Sequence, residues 1–340
     1  MKHPKGYVCC RTIGPLSLNG KLDDPSWKAV PWTDPFVDID GDAKPNPRFM
    51  TRAKMLWDDH YFYVGADLHE PHVWATLTQR DSVIFHDNDF EVFIDPDGDN
   101  HQYYEIEINA LNTVWDLRLV KPYRDGGPAL NEWDIPGLKT GVHVDGTLND
   151  PRDIDRGWSV EMAFPWKVLA EYANRQCPPR DGDQWRINFS RVEWQIDTSS
   201  GKYVKVPNTK EDNWVWSPQG VIDMHRPERW GYVQFSTAKP GHAKFKPDAS
   251  LPARDLLHTI YYAQKEFNGK RKRWAETLDE LGISFMPSPE LPDRPIIRLT
   301  AAGYDALVDL QLPGGKTQRW RIRQDSRITP DTKHTGQSGL

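Results

Sequence analysis

The residues best equipped for chemistry lie in one stretch, Phe85-His-Asp-Asn-Asp-Phe-Glu-Val-Phe-Ile-Asp-Pro-Asp-Gly-Asp-Asn100, followed at once by Tyr103-Tyr-Glu-Ile-Glu-Ile-Asn109. Within residues 90–94 and 104–108, apolar side chains alternate with Glu91, Glu105 and Glu107, the period of half-buried strands. Paired as a hairpin, such strands put carboxylates and amides on one face beside aromatic rings. That combination suits a polyol: carboxylates accept hydroxyl protons, while ring faces pack against C–H groups. An ordinary solvated hairpin face has the same alternation, so the pattern alone does not choose between the two. The turn between the strands, with Asp95, Asp97 and Asp99, has the oxygen density of a calcium loop. It lacks the EF-hand spacing, so any ion here is expected to be a structural Ca2+ in a β domain.

Such residues need strands to hold them, and strand-like text runs from about residue 7 to 236. Residues 52–57 alternate, Asp58-Asp-His60 turns the chain, and residues 61–68 return, which reads as a hairpin. Further strands are expected at 114–120, 139–144, 158–164, 185–192 and 232–235, with one short helix at 166–173 started by Pro165. Many short strands separated by turns predict a two-sheet antiparallel β-sandwich. The text changes after residue 236: 237–249 reads as a linker. Residues 250–330 then read as a small α+β appendage. It has a helix over 254–268, a short helix over 274–281 and strands at 295–299, 306–312 and 319–323. The polar tail, 331–340, is expected to be disordered.

Composition agrees with a β-rich chain. The 340 residues include 15 Trp, 12 Tyr and 12 Phe, which bury ring area in few positions, and 28 Pro with 24 Gly argue for turns over a helical bundle. A net charge of −6 with no basic tract before the linker argues against nucleic acid as a ligand. No apolar run approaches the about 20 residues of a membrane helix. Cys9, Cys10 and Cys177 have neither metal-ligand spacing nor the pattern of a disulfide framework. The start, Met-Lys-His-Pro-Lys-Gly, has no apolar h-region, so no export signal is visible.

Blocks in order along the chain give it a family likeness. They are Leu18-Asn-Gly-Lys-Leu-Asp-Asp-Pro-Ser-Trp27, Met55-Leu-Trp-Asp-Asp-His-Tyr-Phe-Tyr-Val64, Asp89-Phe-Glu-Val-Phe-Ile-Asp-Pro96 and Tyr103-Tyr-Glu-Ile-Glu-Ile-Asn109. Gly157-Trp-Ser-Val-Glu-Met-Ala-Phe-Pro-Trp166, Trp185-Arg-Ile-Asn-Phe-Ser-Arg191, Trp216-Ser-Pro218 and His225-Arg-Pro-Glu-Arg-Trp-Gly231 complete the series. Together they resemble family 9 carbohydrate-binding modules of the DOMON-like superfamily over residues 7–236. The resemblance implies a β-sandwich with structural calcium and a slot gripping a sugar end between two aromatic rings. It also implies an extracytoplasmic, secreted or periplasmic, setting. One ring falls on Phe85, where the family often has Trp, and the sugar-facing carboxylate falls on Glu91. A polar pair falls on Glu107 and Asn109, with Glu107 where some members carry a basic residue. The second ring belongs near the closing Pro-x-x-Trp-Gly, where Met224-His225 stands, so His225, Trp214 or Trp216 is the expected wall.

The candidate ligand-binding set is therefore Phe85, Asp87, Glu91, Glu107, Asn109, Arg191, Trp216 and His225, with Arg191 able to fork onto a hydroxyl pair. The expected partner is a mono- or oligosaccharide, and residues 250–330 are a candidate surface for a protein partner. Two rivals use the same residues. A glycan-active enzyme would pair the carboxylates near Glu91 and Glu107, and a non-covalent haem domain would use Met224 and His225. The chain has no G-x-S-x-G, H-E-x-x-H or phosphate-loop motif, so direct catalysis is not expected.

Overall fold

Alternation along the first two-thirds of the chain becomes strands at nearly the expected places. In this computed structural model, which describes residues 3–331, they are β1 (Gly6–Arg11), β2 (Thr51–Trp57), β3 (Tyr61–His69), β4 (Asp89–Asp95), β5 (Tyr103–Asn109) and β6 (Val114–Leu119). Then come β7 (Lys139–Asp145), β8 (Gly157–Pro165), β9 (Gln184–Glu193), β10 (Asp212–Val215) and β11 (Gly231–Ser236). The β2–β3 turn forms because Asp58 Oδ1 accepts the His60 and Tyr61 amides at 2.7 and 2.8 Å, an Asx-type closure.

The architecture is mainly β and sandwich-like. These strands belong to one curled, hydrogen-bonded sheet in the order β6-β5-β4-β9-β11-β1-β2-β3-β8-β7, with β10 beside β9. Pairing is antiparallel except around β1, which runs parallel to both β11 and β2. Phe90, Val92, Ile94, Tyr104, Ile106, Ile108 and Phe189 on one side meet Met55, Phe62, Val64, Val160, Met162 and Phe164 in a single core. Because side chains alternate along a strand, the residues between them in β4 and β5 face the other way. The helix expected at 166–173 is one turn, Trp166–Leu169, with Pro165 as its N-cap.

The described residues divide into two compact units: residues 4–98 with 102–246, and residues 3 and 99–101 with 247–331. The 237–249 stretch is less free than a linker, since the Lys244 carbonyl and Lys246 amide bond to Gln234. In the second unit, the Leu251–Arg271 helix has Pro252 in its first turn and lays Leu257, Ile260 and Tyr261 on a four-stranded antiparallel sheet. The sheet comprises β12 (Ile296–Thr300), β13 (Gly303–Leu312), β14 (Lys316–Arg323) and β15 (Ile328–Pro330). The helix expected over 274–281 is instead a series of turns. The Gln264 side chain takes both the Ala275 amide and its carbonyl at 2.9 Å, which competes with a helical ladder. The expected disordered tail lies, beyond Asp331, outside the described residues.

Candidate functional site

The chemistry of the 85–109 stretch depends on register. Glu91 pairs with Glu107, Asp89 with Asn109 and Phe93 with Glu105 across β4 and β5. On the neighbouring strands, Ser190 lies opposite Glu91 and Trp115 opposite Glu107. Paired positions point to the same side of a sheet. Asp89, Glu91, Glu105 and Glu107 therefore share the outer face, away from the Phe90–Val92–Ile94 core.

Four carboxylates on one face are electrostatically unusual. Oxygens of Asp89, Glu91 and Glu107 all lie within 4.8 Å of one another, and the three residues are buried. Among the described residues, no Lys or Arg forms an ion pair with any of the four. The nearest ionisable nitrogen is His225 Nε2, 3.9 Å from Glu105 Oε2, too far for a hydrogen bond. Burial, with the charge of Glu91 next, pushes the acids of Asp89, Glu105 and Glu107 well above the usual carboxylate range. Burial also raises Glu91, to about 7. His225 is pushed down to about 4 by its own burial, so it is neutral at pH 7 and supplies no counter-charge.

Aromatic groups frame this floor. Phe85 sits in a one-turn 3-10 helix, its amide donating to Glu107 Oε2 at 2.9 Å and its carbonyl accepting Trp194 Nε1 at 2.8 Å. Glu107 therefore positions Phe85 beside the acids. Toward Glu105, His225 shares a hydrogen bond with the Tyr103 hydroxyl at 3.0 Å and takes the Tyr123 ring edge-on, centroids 4.5 Å apart. Tyr123 is 52% exposed. Below it, Phe93, Tyr103, Leu117, Leu119 and Trp230 make a small apolar cluster on the same side of the sheet.

Phe85, Glu91, Glu107 and His225 thus stand on the outer face. Asp87 and Asn109 lie beside it with their polar atoms engaged in the backbone. Asp87 accepts from the Thr76 and Leu77 amides and the Thr76 hydroxyl. Asn109 caps the Leu111 and Thr113 amides and donates to Leu77 O and Asp87. Both shape the loop that carries Phe85.

Arg191 and Trp216 are elsewhere. Arg191 is fully buried, with Glu70 at 2.7 Å, Glu193 at 2.8 Å, and bonds to Thr51 and His69 O. It has no donor to fork onto a ligand. Trp216 packs on Phe189 in the core, over Gly231, where a Cβ would strike its ring at 2.4 Å. Trp214, weighed as the other wall, is buried beneath Arg191.

The acids of the 95–99 turn are divided between the two units, Asp95 and Asp97 in the first and Asp99 in the second. Several are already used: Asp95 caps the Gly98 amide, Asn174 donates to Asp97, and Asp99 caps the His101 amide and holds Arg327 at 2.8 Å. The Asp99 carboxylate is therefore already engaged within its own unit.

Asp89, Glu105, Trp115, Tyr123 and Trp194 were not singled out as site residues from sequence. Asp89 and Glu105 stand two positions from Glu91 and Glu107, so period-2 reasoning could have placed them. Tyr123 and Trp194 come from separate loops and carry no local signal.

Known proteins supply the comparison. The model of the family described as carbohydrate family 9 binding domain-like matches residues 18–215. The chain is 26% identical over 164 residues to an exoglucanase, XynX, of Acetivibrio thermocellus. That match spans 48% of this chain and 12% of the enzyme's length. A structure of a putative carbohydrate-binding protein from Bacteroides uniformis is similar at a TM-score of 0.50 and 16% identity, covering 68% of this chain and all of that one. A family 9 carbohydrate-binding module from Caldicellulosiruptor kristjanssonii in complex with cellotriose matches at a TM-score of 0.46 and 15% identity, covering 72% of this chain and all of that one.

Proposed function

Because the chain belongs to the carbohydrate family 9 binding domain-like family, whose model matches more than half of it, we propose that it binds saccharides without cleaving them. The binding surface is the outer face of the β4–β5 hairpin. The observation that carries this reading is the pairing of Glu91 and Glu107 beside Phe85, with Glu107 holding the Phe85 amide. Carboxyl oxygens offer acceptors to hydroxyls, and Phe85, Trp115 and Tyr123 supply rings for the C–H side of a sugar. The saccharide class in the family's solved complexes includes cellotriose, so neutral β-glucans are the first ligands to try. Calorimetric titration with cello-oligosaccharides tests it. Wild-type binding, lost in Phe85→Ala and Glu91→Ala with the fold intact by circular dichroism, is the expected result. Equal affinity in both variants would move the site off this face.

Three finer elements belong to the same reading. A structural calcium at the 95–99 turn would have to share Asp99 with Arg327, and a fall in melting temperature on adding chelator would test it. A setting outside the cytoplasm suits a polysaccharide ligand, and no helix of the described residues is long and apolar enough to cross a membrane. Residues 250–330 offer a protein partner the β12 edge, where Ile296 and Leu299 are exposed and a partner strand can add.

A further inference from the structure

We propose that Asp89, Glu91 and Glu107 form a cation site on this outer face, taking a hard divalent ion of calcium's size, with Glu105 as an additional ligand. Calcium–oxygen distances of about 2.3–2.6 Å let one ion touch oxygens up to about 5 Å apart. The three carboxylates meet that condition, each offering an oxygen within 4.8 Å of the others. They are fixed by strand register, Glu91 directly across from Glu107 and Asp89 two residues before Glu91.

A second observation points to the same occupant. Glu105 is 6% exposed, and its Oε2 has no hydrogen-bond partner. It stands on the same face, two residues before Glu107, and His225 Nε2 lies 3.9 Å from its Oε2, too far for a hydrogen bond. Asp89 Oδ2 is likewise buried and unpartnered, while its Oδ1 accepts the Val192 amide at 3.2 Å. Buried carboxylate oxygens normally have donors or a metal. Asp89 belongs to the carboxylate cluster and Glu105 shares its face, and a cation there satisfies them together.

The metal site stands on this geometry alone. Its link to sugar rests on the reading above: an ion beneath the saccharide would leave coordination positions for ring hydroxyls.

Chelator-treated full-length protein is titrated with calcium by calorimetry and with terbium by luminescence, excited through tryptophan. Trp115, opposite Glu107, is the expected sensitiser. Glu91→Gln/Glu107→Gln should weaken calcium by about a hundredfold, as expected from losing two charged ligands. Asp97→Asn should leave that site intact, and Trp115→Phe should dim terbium without changing calcium affinity. Circular dichroism confirms folding, with single Glu91→Gln replacing the double variant should it not fold. No calcium binding at millimolar concentration, or binding sensitive only to Asp97→Asn, overturns the site. Binding of glucosamine but not calcium at the same residues overturns the metal assignment in favour of an ammonium. Cellotriose titration with and without calcium then separates the two readings. Sugar affinity at least about tenfold stronger with calcium supports the linkage, and equal affinity overturns it. Calcium binding without any sugar binding upholds the metal site and sinks the saccharide reading.

Discussion

Glu91→Gln should make the protein more stable above neutrality and hardly change it in acid. Burial raises the Glu91 carboxyl from its ordinary 4.5 to about 7. A carboxyl with a raised folded-state pKa binds its proton more tightly in the folded chain than in the unfolded one. Its contribution is complete below about pH 4.5 and is lost as pH climbs to about 7 and beyond. A rise from 4.5 to about 7 corresponds to about 3 kcal/mol. Glutamine keeps the shape and cannot ionise, so the variant escapes that loss. Asp89, Glu105 and Glu107 are displaced in the same direction with Glu91 among the causes, and each is relieved of a like-charged neighbour. His225 has the opposite sign: its folded value near 4 makes stability rise with pH between about 4 and 6.5. That term is present in both proteins and cancels in their difference.

The assay is urea unfolding of both proteins in chelator at intervals from pH 4 to pH 8, followed by tryptophan fluorescence. The signal reports on the unit that carries the site, because of the 15 tryptophans only Trp274 and Trp320 belong to the other. The difference in unfolding free energy should be near zero at pH 4 and climb to about 3 kcal/mol at pH 8. A flat difference curve would refute the claim that burial raises the Glu91 carboxyl.

Arg191→Met should cost about 3–5 kcal/mol, because Glu70 and Glu193 would be left buried without their cation. A unchanged urea midpoint would show that the triad is dispensable. Trp216→Ala should lose about 3–5 kcal/mol through the cavity it opens beside Phe189 and Gly231. Protein that remains folded should bind cello-oligosaccharide as the wild type does, and a selective loss of sugar affinity would return Trp216 to the site.

The sequence by itself determined the strands, their hairpin at 58–60, and the alternation that puts Glu91 and Glu107 on one side of β4 and β5. These are local properties: a period of two and an Asx turn are written in neighbouring residues. It also pointed to Phe85, because the ring, the carboxylate and the paired strand lie within one short stretch. Tertiary structure decided which face is packed in the core and which carries the acids, since alternation defines two sides without saying what covers either. Arg191 was placed in the core by Glu70, 121 residues away, and Trp216 by a glycine on β11 that leaves room for its ring. Tyr123 and His225 meet from loops about a hundred residues apart in the chain, and no local pattern joins them. Only the folded register shows that four acids share one buried face with no Lys or Arg ion-paired to them among the described residues, because that depends on the sum of long-range contacts.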